Sequence, residues 1–149
     1  MSWSVSVFGG VERPAIHNAA RDWEPEAMGS GDEIRQRISA HLPAVDWSTP
    51  TWGIYAGDGF TFEFSVGPEE PVTNFAVHVR GSGDAIGDLL RFAIPNAWHL
   101  VDWSTGEFID PQSPSDAGWV AWQAYRNQLR QSDQGGHRSG GYDQKYRGG

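Results

Sequence analysis

The chain has no cysteine, and its 149 residues include a single lysine, Lys145. The first absence excludes disulfides, thiolate metal sites and cysteine nucleophiles. No run approaches the roughly 20 apolar residues of a membrane-spanning helix, so no membrane partner is expected. The opening segment MSWSVSVFGG has neither a basic region nor a long apolar stretch. No secretory signal is expected from it, and a cytoplasmic location is. The five histidines are scattered, with no H-x-H or H-x-x-x-H spacing for zinc. The calcium-loop pattern D-x-[DN]-x-[DN]-G is also missing, so no metal and no cofactor is expected.

Aromatic side chains are what the chain has in abundance. They make up 13% of it and include eight Trp, which argues against disorder through most of the sequence. A length of 149 fits one domain, with about two-thirds of the unfolded surface available for burial.

Charge is unevenly spread. Residues 1–131 carry 17 Asp and Glu against eight Arg, a balance of −9. The segment 132–149, SDQGGHRSGGYDQKYRGG, carries Arg138, Lys145 and Arg147 against Asp133 and Asp143, a balance of +1. An acidic body repels phosphate, so nucleic acid is not an expected partner of residues 1–131. It favours a basic protein, a cation, or simply solubility. The Gly-rich segment has too little apolar content to pack and reads as a disordered tail. Its Tyr142, Tyr146, Arg138 and Arg147 could stack on single-stranded RNA, but a flexible terminus is the simpler reading.

Two landmarks occur twice in the same order. GSGDEI at 29–34 and GSGDAI at 81–86 are each followed by a helix-like run and then by VDWST, at 45–49 and 101–105. This suggests an internal duplication of a GSGD-helix-VDWST unit. The competing account is convergence, because GSGD is good helix-start chemistry and DWST good turn chemistry.

Periodicity gives the elements. Trp3, Val5 and Val7 alternate with serines as a first strand, and a loop through Pro14 and Pro25 follows. Ser30-Gly31-Asp32-Glu33 has the capping-box pattern. It opens a helix with Ile34, Ile38 and Leu42 on one line, ended by Pro43. A three-strand meander follows, on Trp52–Tyr55, Phe60–Val66 and Asn74–Val79. A three-residue loop Gly57-Asp58-Gly59 would set Ile54 opposite Phe62 and Trp52 opposite Phe64. A two-residue Asp-Gly turn would set Ile54 opposite Glu63 and mix the faces, so the longer loop is preferred. The next pairing is expected as Phe62–Val77 and Phe64–Phe75, across a turn at 67–71. A second helix carries Ile86, Leu89, Leu90, Ala93 and Ile94, and Pro95 ends it. A short hairpin at 99–103 and 107–110 turns at Ser104-Thr105-Gly106. A third helix over 118–131 places Trp119, Trp122, Tyr125 or Arg126, and Leu129 on one side. The expected fold is α+β, in the order β-α-β-β-β-α-β(β)-α. Helices lie on one face of a mainly antiparallel sheet, in a single compact domain over 1–131 with the tail at 132–149.

Several residues could carry chemistry. Gly81, Gly83 and Gly87 approach the dinucleotide fingerprint, but the spacing is G-x-G-x-x-x-G and Asp84 stands where a phosphate would sit. Either GSGD helix start could still offer amides to an anion or small ligand, though Asp84 is expected to cap its own helix. Glu63 and His78 become diagonal neighbours in the expected register and could form an acid–base pair, with Arg80 beside them. Asp46, Asp58, Asp102, Glu107 and Asp110 could gather oxygens for a cation, but Asp46 and Asp102 read better as turn residues. Trp3, Trp52, Trp98 and Trp119 read as core, whereas Trp23, Trp47 and Trp103 lie in loops or turns. Exposed Trp is favoured at binding hot spots, so the pairs Asp46-Trp47 and Asp102-Trp103 are the leading recognition candidates.

The stretches DWSTPTWGIYAGDGFTFEF, HVRGSGDAI and DWSTGEFID resemble a set of small bacterial proteins of unassigned function, over about residues 1–131. That resemblance implies no catalytic residues. In being small, acidic, Trp-rich and without a catalytic motif, the chain is also similar to immunity proteins that neutralise bacterial toxins. Together these imply a non-enzymatic binding protein with a basic protein partner. Its candidate surface is Asp46, Trp47, Asp58, Glu63, His78, Arg80, Asp102 and Trp103. Two other readings stand beside it: a small-ligand or anion-binding domain at the GSGD turns, and an acid–base enzyme on Glu63 and His78.

Overall fold

The computed structural model describes residues 2–9 and 26–135. The loop through Pro14 and Pro25, Trp23, and the tail from residue 136 lie outside the described residues. Contacts divide the chain into two units, 1–118 and 119–149. The first unit holds β1 (Trp3–Phe8), α1 (Gly31–His41), β2 (Asp46–Thr49), β3 (Trp52–Ala56), β4 (Phe60–Ser65), β5 (Asn74–Gly81), α2 (Ala85–Ala93) and β6 (His99–Asp102). A last helix, α3 (Ala117–Gly135), starts there and runs on through the second unit, four residues beyond the expected end at 131.

The strands form one six-stranded sheet in the order β2-β3-β4-β5-β1-β6, and every neighbouring pair is antiparallel. With three helices this is the expected α+β architecture. The element order differs at two places. Residues 46–49, read as a turn, form the edge strand β2, with Asp46 opposite Ile54 and Thr49 opposite Trp52. Residues 107–110 contribute a single bridge, Val101 to Phe108, rather than a strand.

One face of the sheet is the core. Trp3, Val5, Val7, Phe62, Phe64, Phe75, Val77, Val79 and Leu100 are all buried on it. α1 contributes Ile34 and Ile38, and α2 contributes Ile86, Leu89 and Phe92. The Phe92 ring meets Phe64 at 5.6 Å and Phe75 at 6.3 Å between centroids. Truncating one such phenylalanine typically costs about 3–5 kcal/mol.

The two GSGD turns start helices differently. At α1 the cap is Ser30, whose Oγ accepts from Glu33 N–H at 3.1 Å while Glu33 Oε1 accepts from Ser30 N–H at 2.9 Å. At α2 the cap is Asp84, two positions further along the motif, accepting from Gly87 N–H at 3.0 Å. In the second turn Gly81 and Gly83 have φ of 103° and 98°. A Cβ on Gly83 would stand 2.7 Å from the Asp58 carbonyl oxygen, so both glycines let this turn press against the β3–β4 hairpin.

Two registers differ from expectation. Gly57 N–H donates to Phe60 O at 2.8 Å, closing a two-residue Asp58-Gly59 turn, with Gly59 at φ 94°. Ile54 therefore pairs with Glu63, and Trp52 with Ser65, one residue away from the preferred register. The inward positions of β3 are Gly53 and Tyr55, and Trp52 is half-buried on the opposite face rather than core. Between β4 and β5 the pairs are Phe62–Val79, Glu63–His78 and Phe64–Val77. The slip is two residues: β5 begins at Asn74 as expected but runs on past Val79 to Gly81, which pairs with Phe60, while Val72 ahead of it is held by Gly29 and Met28.

In α3, Trp119 and Trp122 stack at 5.3 Å with planes 7° apart, and the Arg126 guanidinium lies 4.9 Å over the Trp122 ring. Of Tyr125 and Arg126 it is thus Arg126 that joins the tryptophan side, and Tyr125 is 54% exposed.

Candidate functional site

Antiparallel pairing sets directly opposed residues on the same face. On the face away from the core this builds one row across five strands, β2, β3, β4, β5 and β1. Asp46 pairs with Ile54, Ile54 with Glu63, Glu63 with His78, and His78 with Ser4. Trp103, just past β6, closes the row by donating its N–H to Ser4 O at 3.1 Å. Four of the eight expected surface residues, Asp46, Glu63, His78 and Trp103, stand in this row. Arg80 lies diagonally beside it.

His78 is the middle of the row. Ser4 Oγ and His78 Nδ1 are hydrogen-bonded at 2.8 Å. The Trp52 ring stacks on the imidazole at 6.0 Å with planes 25° apart, and Trp103 meets it edge-on at 6.0 Å and 90°. The Trp103 indole N–H donates to Ser6 Oγ, which fixes the ring although the residue is 56% exposed. Glu63 Oε1 lies 2.6 Å from Arg80 Nη1, with the side chains 22% and 47% exposed. Ile54 is 46% exposed beside them. Among the described residues no hydrogen bond joins Glu63 to His78, so the two are neighbours with separate partners.

The two VDWST segments share their turn chemistry and face opposite ways. Asp46 Oδ1 accepts from Ser48 N–H at 2.9 Å and Ser48 Oγ at 2.6 Å. Asp102 Oδ1 accepts from Ser104 N–H at 2.8 Å and Ser104 Oγ at 2.7 Å. Asp46, however, lies on the open face, where the Ser48 hydroxyl and then its amide hold the carboxyl below its ordinary value. Asp102 pairs with Val5 on the core face, is 4% exposed, and accepts from Trp3 Nε1 at 2.9 Å. The tryptophans are reversed. Trp103 is on the open face, whereas Trp47 packs on Phe64 at 5.9 Å and donates to Ser39 Oγ at 3.0 Å. Asp58 sits apart, exposed in the β3–β4 turn.

The expected residues omit four that the structure adds to this face: Ser4, Ser6, Trp52 and Ile54. The serine alternation in β1 was a visible signal for a polar face. Trp52 and Ile54 were hidden by the choice of turn length.

Both helix starts are filled by the chain's own oxygens. Besides the Ser30 cap, Gly31 N–H donates to Glu70 Oε2 at 2.9 Å. A cavity of about 530 Å³ opens at the β4–β5 connection, lined by polar Ser65, Glu69, Thr73 and Asn74 together with apolar Val66, Val72 and Phe75. Among the described residues no group of three or more His, Asp or Glu could hold a metal ion, and no helix is long and apolar enough to cross a membrane. Comparison with protein-family models, curated proteins and solved structures gives no match to this chain.

Proposed function

We propose that the protein is a non-enzymatic binding protein that meets a basic protein partner through the open face of its sheet, as an immunity-type protein does a toxin or effector. The observation that carries this reading is Trp103, fixed by Ser6 yet 56% exposed, at the end of a row that also exposes Ile54. A rigid, exposed Trp beside an aliphatic residue and a hydrogen-bonded polar centre is the composition of an interface hot spot. The −9 balance of residues 1–131 supports a basic partner, drawn in by long-range attraction. An acid–base reading draws support from the direct pairing of Glu63 with His78. The turn of that carboxylate to Arg80 leaves it second.

The test is capture of partners from the native source by the tagged full chain, followed by titration calorimetry with whatever is retained. One stoichiometric basic protein is expected, with affinity falling about 30-fold for Trp103→Ala, the loss of a hot spot. A bait with no basic partner, or a partner held equally well by Trp103→Ala and Ile54→Asp, overturns the proposal.

A further inference from the structure

We infer that the open face carries a seat for one arginine side chain of the partner, at Glu63 beside the stacked rings of Trp52 and His78, and that Arg80 is the internal stand-in for that arginine. The inference rests on the proposed protein-binding role and names the chemistry by which the face would select its partner.

Glu63 is the centre of the arrangement. Its direct cross-strand neighbours are Ile54 and His78. Its diagonal neighbours are Trp52, opposite Ser65, and Arg80, opposite Thr61. Such diagonal positions are within reach of long and aromatic side chains. The carboxylate already takes a guanidinium, at 2.6 Å, on the side away from Trp52. On its other side stand the stacked rings of Trp52 and His78, with Trp103 edge-on beyond. A carboxylate next to flat aromatic surface suits guanidinium better than ammonium. Guanidinium is planar, stacks on ring faces, and binds carboxylate through two parallel N–H donors. The net negative charge of the chain favours a cationic occupant and disfavours an anion.

Arg80 limits the seat. An incoming arginine must share or replace its contact with Glu63. The Arg80 side chain is 47% exposed, so a guanidinium arriving from solvent can compete with it for the Glu63 carboxylate. Removing Arg80 should therefore tighten arginine binding, although it removes a salt bridge from the fold. A pair that served only stability would show no such gain.

The experiment titrates the full chain with acetylated hexa-arginine, hexa-lysine and hexa-citrulline amides at low salt, following the indole N–H signals of Trp52 and Trp103. Hexa-arginine is expected to move both signals, hexa-lysine to bind several-fold more weakly, and hexa-citrulline not to bind. Glu63→Gln should weaken hexa-arginine binding about tenfold, the loss of one charge-assisted pair. Arg80→Gln should tighten it several-fold. Arg91→Gln, which removes an equal charge from the exposed Asp88–Arg91 pair of α2, should leave it unchanged beyond the general charge effect. Equal binding of arginine and lysine peptides, no loss in Glu63→Gln, or the same gain from Arg91→Gln as from Arg80→Gln overturns the inference. If the arginine preference fails while a basic partner is still lost in Trp103→Ala, the arginine seat falls and the binding role stands. If partner binding is also indifferent to Trp103, both fall.

Discussion

The Trp47 ring lies across Gly53. A Cβ on that glycine would stand 2.6 Å from the ring, and Trp47 thereby supplies the side chain that β3 omits from the core. From a short edge strand, Trp47 reaches over its neighbour to Phe64. With the glycine position filled this way, β3 can turn Trp52 and Ile54 outward. Much of the candidate surface follows from that one substitution of side chain for space.

Gly53→Ala should destabilise the fold by about 1–3 kcal/mol, as the overpacked ring shifts off Phe64. Denaturant unfolding measures the loss. A shift in the Trp47 indole signal, which reports its bond to Ser39, should accompany it. An unchanged midpoint would mean that Trp47 is not wedged on this glycine.

Asp102→Ala should cost more than Asp46→Ala, although the two turns share the same bonds. Asp102 is buried and its loss leaves the Trp3 indole N–H without its acceptor, a penalty of about 1–3 kcal/mol. Asp46 is exposed and returns its donors to water. Thermal unfolding of the two variants, side by side, checks the order.

The folded state holds the Asp46 carboxyl below its ordinary value of 3.8, through Ser48. Its stabilising contribution is therefore present above the unfolded value and is lost as pH falls through the lower folded one. Acid unfolding of Ser48→Ala, which also lacks the hydroxyl donor, should show a shallower loss of stability below pH 3.8 than the parent chain.

Tyr55 links β3 to α2 by donating its hydroxyl to Asp88 at 2.7 Å. Burial, then that hydrogen bond, raises the phenol above its ordinary value of 10.0. The associated stability is present below pH 10 and is lost as pH rises through the higher folded value. Tyr55→Phe should cost about 1 kcal/mol at neutral pH and flatten the alkaline fall in stability. A parallel alkaline profile in both proteins would dissociate Tyr55 from that fall.

Trp103→Ala should barely change stability, within about 0.5 kcal/mol for an exposed position, while weakening partner binding. Large destabilisation would make Trp103 a structural lid rather than a contact residue.

Local chemistry was legible in the chain. The β1 alternation, the Ser30 capping box, the Asp84 cap and the apolar stripe of α1 depend on neighbours within about one turn, and all appear as read. The stripe of α2 is only partly as read: Ile86, Leu89 and Ala93 are buried, but Phe92 takes the inward place expected of Ile94, which is 54% exposed just past the helix end. The Asx bonding of both DWST segments also appears as read. The direction in which those segments face does not follow from local chemistry. In strands a shift of one residue exchanges the two faces, and here distant packing decides the shift. Trp47 fills the space over Gly53 in the register set by the Asp58-Gly59 turn, and β5 runs on to Gly81 opposite Phe60, which sets Glu63 opposite His78. The sheet order completes the site: β1 lies between β5 and β6, so Ser4 and Trp103 reach His78 from opposite ends of the first unit. The sequence alone determined which residues can form strands, caps and a charged, Trp-rich surface. Only the tertiary structure decided which of them share a face, because strand pairing joins residues that no local pattern relates.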